Sequence, residues 1–152
     1  MRKVALLLVA VAAVVLLRTM VVTTYVVESH SMEPTVGSGS LVLVDRLTYR
    51  ISPIRRDQLV VFRSEGRLAL KRVVGVAGDV VAMRDGVLHV NGRARSESYV
   101  DLASVDGTYT GRVVVPRNSL YVLGDRREGS IDSRRYGPVP LSAVRGRVLA
   151  HW

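Results

Sequence analysis

The chain is 152 residues long, contains no Cys and carries a formal net charge of +9. That length suits one compact domain with a short appendage, and the missing Cys excludes thiol nucleophiles, disulfide scaffolds and Cys-based zinc sites. The charge would attract polyanions, but aromatic residues make up only 5% of the chain and do not alternate with the cations as stacking platforms, which argues against nucleic acid and for anionic lipid headgroups as a partner.

After Met1, Arg2 and Lys3 comes an apolar run, Val4 to Leu17, then Arg18 and a second apolar stretch from Thr19 to Val27. If Arg18 snorkels to a headgroup, Val4 to about Val22 is long enough, at ~1.5 Å per residue, for one transmembrane helix. A cleaved secretory signal would begin the same way. Arg18, Met20, Val22 and Tyr25 leave no small-x-small site before Glu28, however, so a retained anchor is the expectation. Arg2 and Lys3 orient it with the N-terminus in the cytoplasm and the rest of the chain outside the membrane. Residues 1–27 are therefore read as cytoplasmic N-terminus and anchor, and 28–152 as an extracytoplasmic domain.

From Glu28 onward the texture is β. Leu41 to Val44, Leu59 to Phe62, Leu68 to Val76, Val80 to Met83, Val87 to Val90, Val113 to Val115, Leu120 to Leu123 and Val144 to Leu149 are short Val/Leu-rich runs punctuated by turn residues. Asp85-Gly86 and Asn91-Gly92 read as tight hairpin turns. No segment outside the anchor has helical periodicity, so the fold class is all-β: an antiparallel, barrel-like domain behind one N-terminal transmembrane helix. Residues 85–112 are more polar and read as a short excursion from the core. Between Asp45 and Asp57, Leu47, Tyr49, Ile51 and Ile54 alternate with Arg46, Arg50, Arg55 and Arg56, a composition that suits either a membrane surface or a solvated loop.

Three stretches hold residues able to do chemistry: Glu28 to Thr35, Leu70 to Asp79 and Gly124 to Gly137. A serine nucleophile needs a base within hydrogen-bond reach. His30 adjoins Ser31, but neighbours in an extended chain point to opposite faces, and His89 and His151 lie in ordinary strand and terminal contexts. Lys71 is better placed. Of the 22 cationic residues only Lys3 and Lys71 are Lys, and Lys71 sits among Leu68, Leu70, Val73 and Val74. Burial there would lower its pKa toward neutrality, where a deprotonated amine can act as a base.

Ser31-Met32-Glu33-Pro34-Thr35, Lys71-Arg72-Val73-Val74-Gly75 with Gly78-Asp79, and Gly124-Asp125 followed by Ser130-Ile131-Asp132-Ser133-Arg134 and Gly137 resemble, in order, the signature boxes of type I signal peptidases. Arg56 to Phe62 is similar to the family's box between the first two. The resemblance implies a membrane-bound serine endopeptidase that removes signal peptides from exported preproteins at the bacterial cell membrane, with neither metal nor organic cofactor. It further implies Ser31 as nucleophile and Lys71 as general base, with the Ser31 N–H and the Ser29 hydroxyl as oxyanion donors. Ser130 would orient Lys71, and the ion pairs Asp132–Arg134 and Asp125–Arg72 would support the last motif. Val27, Met32 and Leu70 would wall shallow pockets, in keeping with the family's small-x-small preference. Two positions depart from the pattern: Arg126 stands where the family usually has Asn, and Arg56 replaces a common Gly. Two alternative readings are a maturation peptidase dedicated to one client and a non-catalytic, membrane-tethered β binding domain.

Overall fold

A computed structural model of the chain describes residues 2–9, 21–101, 104, 105, 107 and 109–152. Residues 2–9 are helical, and the remainder of the expected anchor, residues 10–20, lies outside the described residues. Among the described residues no helix is long and apolar enough to cross a membrane.

The described residues hold the strands β1 (Val22–Val26), β2 (Leu41–Asp45), β3 (Leu59–Ser64), β4 (Arg67–Val76), β5 (Val80–Arg84), β6 (Val87–Val90), β7 (Arg93–Ala94), β8 (Thr110–Val114), β9 (Ser119–Leu123), β10 (Val139–Pro140) and β11 (Val144–His151). Each apolar run expected to be a strand is one. Strand β1 lies inside the stretch read as anchor and pairs antiparallel with β2, from Val22 opposite Asp45 to Val26 opposite Leu41. The sequence also left two-residue strands β7 and β10 and a four-residue helix, Ser133–Tyr136, unread.

The strands form a seven-stranded sheet, ordered β1-β2-β11-β3-β4-β9-β10, and a four-stranded sheet, ordered β7-β6-β5-β8. The expected barrel does not close, because among the described residues β1 pairs with β2 alone and β10 with β9 alone. Strand β4 also changes partner along its length. Its first six residues, Arg67 to Arg72, pair with β3, whereas Arg72 to Val76 pair with β9. One backbone edge of its first half is therefore left unpaired, facing a groove whose other wall is the end of β1.

Continuous apolar strands are buried on both faces. In β3, Val60 and Phe62 join a cluster with Val73, Leu120, Val122, Val139 and Val144, while Leu59 and Val61 join another with Val27, Met32, Val36, Val42 and Val44. A third cluster, around Met83, Leu88 and Tyr121, joins the small sheet to β4 and β9. In the loop after β2, Tyr49 and Ile54 pack on the core while Leu47 and Ile51 stay exposed. The Tyr49 hydroxyl donates to the Val144 carbonyl at 3.1 Å.

Candidate active site

Ser31 begins a turn five residues beyond the end of β1, and the turn is closed by the Val36 N–H donating to the Met32 carbonyl at 2.9 Å. Met32 and Val36 anchor it, being 0% and 1% exposed in the apolar cluster beneath. Lys71 projects from the middle of β4 opposite Val60, with Ala69 and Val73 as its same-face neighbours. Only 5% of Lys71 is exposed. Its Nζ lies 2.5 Å from Ser31 Oγ, and the Ser29 hydroxyl lies 3.2 Å from the same oxygen.

Burial lowers the Lys71 pKa from 10.5 to about 8. The charged form loses hydration there. The Asp132 carboxylate opposes that shift, the Arg134 guanidinium adds to it, and Asp125 again opposes it. A substantial fraction of the amine is thus neutral in mildly alkaline water, and it lies beside the half-buried Ser31 while Lys71 and Ser29 line the groove. The histidines are turned elsewhere: His30 Nδ1 meets Glu33 Oε1 at 2.7 Å, His89 Nδ1 meets the Val87 carbonyl at 3.1 Å, and His151 is exposed at the end of β11.

The last motif wraps this pair. Asp132 is 0% exposed and accepts from the Gly124 N–H at 3.1 Å, from the Arg134 N–H at 3.2 Å, and from Arg134 Nε and Nη2 at 2.9 Å each. It thereby caps the helix Ser133–Tyr136 and ties it to the end of β9. Asp125 accepts two bonds from Arg72, at 2.8 and 2.6 Å. Arg72 also donates to the Asp57 carbonyl at 2.9 Å and to Thr35 Oγ1 at 3.3 Å. One guanidinium therefore joins the segments carrying Ser31, Asp57 and Asp125, from the residue next to Lys71.

Ser130 departs from what the resemblance implies. Its Oγ is buried without a hydrogen-bond partner among the described residues, so no bond to Lys71 forms. The hydroxyl is instead packed against Gly124, where an added Cβ would lie 2.3 Å from Ser130 Oγ and 2.6 Å from the Ser31 carbonyl oxygen. Met32 departs too: it is a core residue, whereas Val27 and Leu70 line the groove beside Lys71. That groove, about 860 Å³, runs between Tyr25–Ser29 and Arg67–Lys71.

A family model described as signal peptidase, peptidase S26, matches residues 1–152. The chain belongs to the signal peptidase family. Its activity is accordingly that of a serine endopeptidase which removes signal peptides. The chain is 39% identical to signal peptidase I of Bacillus caldolyticus, over 95% of this chain and 87% of that one. It is 33% identical to signal peptidase IB of Staphylococcus aureus, over 92% of this chain and 83% of the relative. A crystal structure of a signal peptidase I from Enterococcus faecalis V583 superposes with a TM-score of 0.56 at 32% identity, covering 65% of this chain and 98% of that one.

Within a signal peptidase, the two departing arginines have partners. Arg56 forms a two-point ion pair with Asp79, through Nε at 2.7 Å and through Nη2, and Asp79 also accepts from the Val76 N–H and from Asn91 Nδ2. These bonds hold the Asp79 pKa down at about 2 despite burial. Arg126 gives its backbone N–H to the Ser31 carbonyl at 3.2 Å and its guanidinium to Glu33 at 3.5 Å. Gly124, read from the sequence only as part of a motif, is the residue whose missing side chain lets Ser130 and Ser31 approach. Its signal was the Gly-Asp pair that directly follows an apolar strand.

Proposed function

We propose that Ser31 is the nucleophile and Lys71 the general base of this signal peptidase. The observation that carries the reading is the 2.5 Å contact between a buried amine and a serine hydroxyl at the edge of an open groove. Neutral Lys71 takes the proton as Ser31 Oγ attacks the scissile carbonyl. The ammonium then returns it to the leaving amine, so a new N-terminus departs and an ester remains on Ser31. Water, deprotonated by the same amine, hydrolyses the ester and releases the signal peptide.

The oxyanion would be held by the Ser31 N–H and by the Ser29 hydroxyl, whose oxygen is 3.2 Å from Ser31 Oγ and can rotate toward charge forming there. A preorganised donor of this kind contributes ~2.7–4 kcal/mol. The signal peptide would lie extended between the unpaired edges of β1 and the first half of β4, adding a strand to both. Val27 and Leu70 would then limit the side chains that fit to small ones. Asp132–Arg134 and Asp125–Arg72 are supports that hold the last motif against Lys71, and Ser130, whose hydroxyl lacks a partner, would swing to orient the amine when substrate arrives.

The residues ahead of β1, 1–21, are read as the cytoplasmic N-terminus and single transmembrane helix of a bacterial membrane protein, with membrane lipids as partners and the β domain from Val22 to Trp152 outside. The apolar run from Val4 to Leu17 and the leading Arg2 and Lys3 support this topology.

Cleavage of an Ala-x-Ala preprotein in detergent tests the dyad: Ser31→Ala and Lys71→Ala should each abolish it. Activity surviving either change refutes the assignment. Protease added outside intact cells should digest the β domain, and protection of that domain would reverse the topology.

A further inference from the structure

The polar excursion between β7 and β8 sends two side chains into the back of the site. Glu97 Oε1 accepts from Arg127 Nη2 at 2.6 Å and from the Tyr99 hydroxyl at 2.9 Å. The Arg127 and Glu97 side chains are 1% and 8% exposed. Arg127 also donates through Nε to the Gly124 carbonyl at 3.2 Å, and its own carbonyl accepts from Arg134 Nη2 at 2.6 Å. On the other side of the same pair, the Tyr99 ring lies beneath Arg72, with Cζ 3.9 Å from the ring centroid. One Glu–Tyr unit thus holds two guanidinium groups. One belongs to the loop carrying Gly124 and Asp125, the other to the residue next to Lys71.

A buried guanidinium without an anion draws water in or moves out. Removing Glu97 would therefore open the loop that covers Lys71, while removing the Tyr99 ring would take away the surface against which the Arg72 guanidinium rests. We propose that Glu97 and Tyr99 are positioning residues of the peptidase: they clamp Arg127 and Arg72, and through them keep Lys71 dry and in register with Ser31. Neither touches the reacting atoms. The inference rests on the reading of Lys71 as base.

Lys71 faces the charges of Asp132, Asp125 and Arg134, with Arg72 adjacent on β4 and Glu28 and Arg67 along the groove. Desolvation is the largest cause of its lowered pKa. Admitting water therefore raises that pKa, and the rising limb of the pH–rate profile must move to higher pH.

The test measures kcat, KM and the pH dependence of kcat/KM on an Ala-x-Ala peptide, using the full chain in detergent. For Glu97→Gln and Tyr99→Leu, kcat should fall about tenfold with KM nearly unchanged, and the limb should rise by roughly half a pH unit or more. Glu97→Asp should recover part of both effects. Tyr99→Phe, which keeps the ring over Arg72, should leave the limb closer to wild type than Tyr99→Leu does; this pair carries the test if Glu97→Gln does not fold. Asp45→Asn, which weakens the remote Asp45–Arg147 pair, controls for general destabilisation. A wild-type limb and kcat in folded Glu97→Gln and Tyr99→Leu would overturn the clamp, as would an equal limb shift in Asp45→Asn. Activity in Lys71→Ala would instead overturn the dyad reading, so the two failures are distinguishable.

Discussion

Gly124 is the point at which the smallest change should do the most selective damage. A methyl carbon built on its Cα lies 2.6 Å from the Ser31 carbonyl oxygen and 2.3 Å from Ser130 Oγ. Ser130 can turn its hydroxyl aside, but its Cβ, 2.8 Å away, must shift as well, and the Ser31 carbonyl is backbone and is also held by the Arg126 N–H at 3.2 Å. Ordinary contact begins at 3.4 Å, so the shortfall from 2.6 Å, about 0.8 Å, must come from moving the turn that carries Ser31 away from β9. Displacement of a reacting group by ~1 Å costs on the order of 10²-fold in rate, and overpacking a filled site costs ~1–3 kcal/mol of stability. Gly124→Ala should therefore remain folded with a lowered melting temperature, while kcat/KM on an Ala-x-Ala peptide falls about 10²-fold, mostly in kcat. Circular dichroism melting and cleavage of an internally quenched peptide would measure both. A folded Gly124→Ala protein within about threefold of wild-type kcat/KM would refute the reasoning, because the Ser31 backbone would then have room to spare.

Lys71 makes stability depend on pH in a defined sense. Its folded pKa, about 8, lies below the ordinary 10.5, so between those values the unfolded chain binds more protons and stability rises with pH. Lys71→Met should accordingly stabilise the fold below about pH 8 by an amount on the order of 3 kcal/mol, and this gain should fade toward pH 10.5, as read by urea unfolding across pH. Activity should rise along a limb near pH 8 as the amine loses its proton, and a limb below pH 6 would exclude Lys71 as the titrating base. Asp125→Ala leaves the Arg72 guanidinium buried without its carboxylate and should cost ~3–5 kcal/mol in denaturant unfolding. Arg56→Gly removes the two-point partner of Asp79 but leaves the Val76 N–H and Asn91 bonds in place. Because Arg56 is partly exposed, the expected loss is only ~1 kcal/mol at neutral pH, shrinking as pH falls toward the Asp79 pKa of about 2, with kcat/KM unaltered.

Most of the strands were legible because their signal is local. Leu59 to Phe62 and Leu120 to Leu123 are unbroken apolar runs between turn residues, and both are buried on two faces. Strand β1 was not legible, since Val22–Val26 continues an apolar stretch in which short strand and helix segments have the same appearance. Strands β7 and β10 and the helix Ser133–Tyr136 are too short to carry any periodicity, and tertiary contacts form them: Asp132 caps the helix, and Ser133 Oγ accepts from the Val122 N–H at 2.9 Å. The open sheet was equally invisible, because it depends on β1 and β10 standing at opposite edges without meeting, which is decided by pairings between distant segments.

By itself the sequence determined the residue types and their order. It put a serine within a turn-forming box, one lysine within an apolar strand and a Gly-Asp motif after another strand, each encoded by near neighbours along the chain. Only the tertiary structure decided what meets what. Ser31 and Lys71 are 40 positions apart and touch at 2.5 Å, Arg72 and Asp125 are 53 apart and form a buried pair, and Ser130 sits against Gly124 without reaching Lys71. The physical reason is that a lowered amine pKa and a shared hydrogen bond depend on burial and distance. Those are set by where the sheet places β1, β4 and β9 and the loops that follow them, and no single stretch of sequence contains that information.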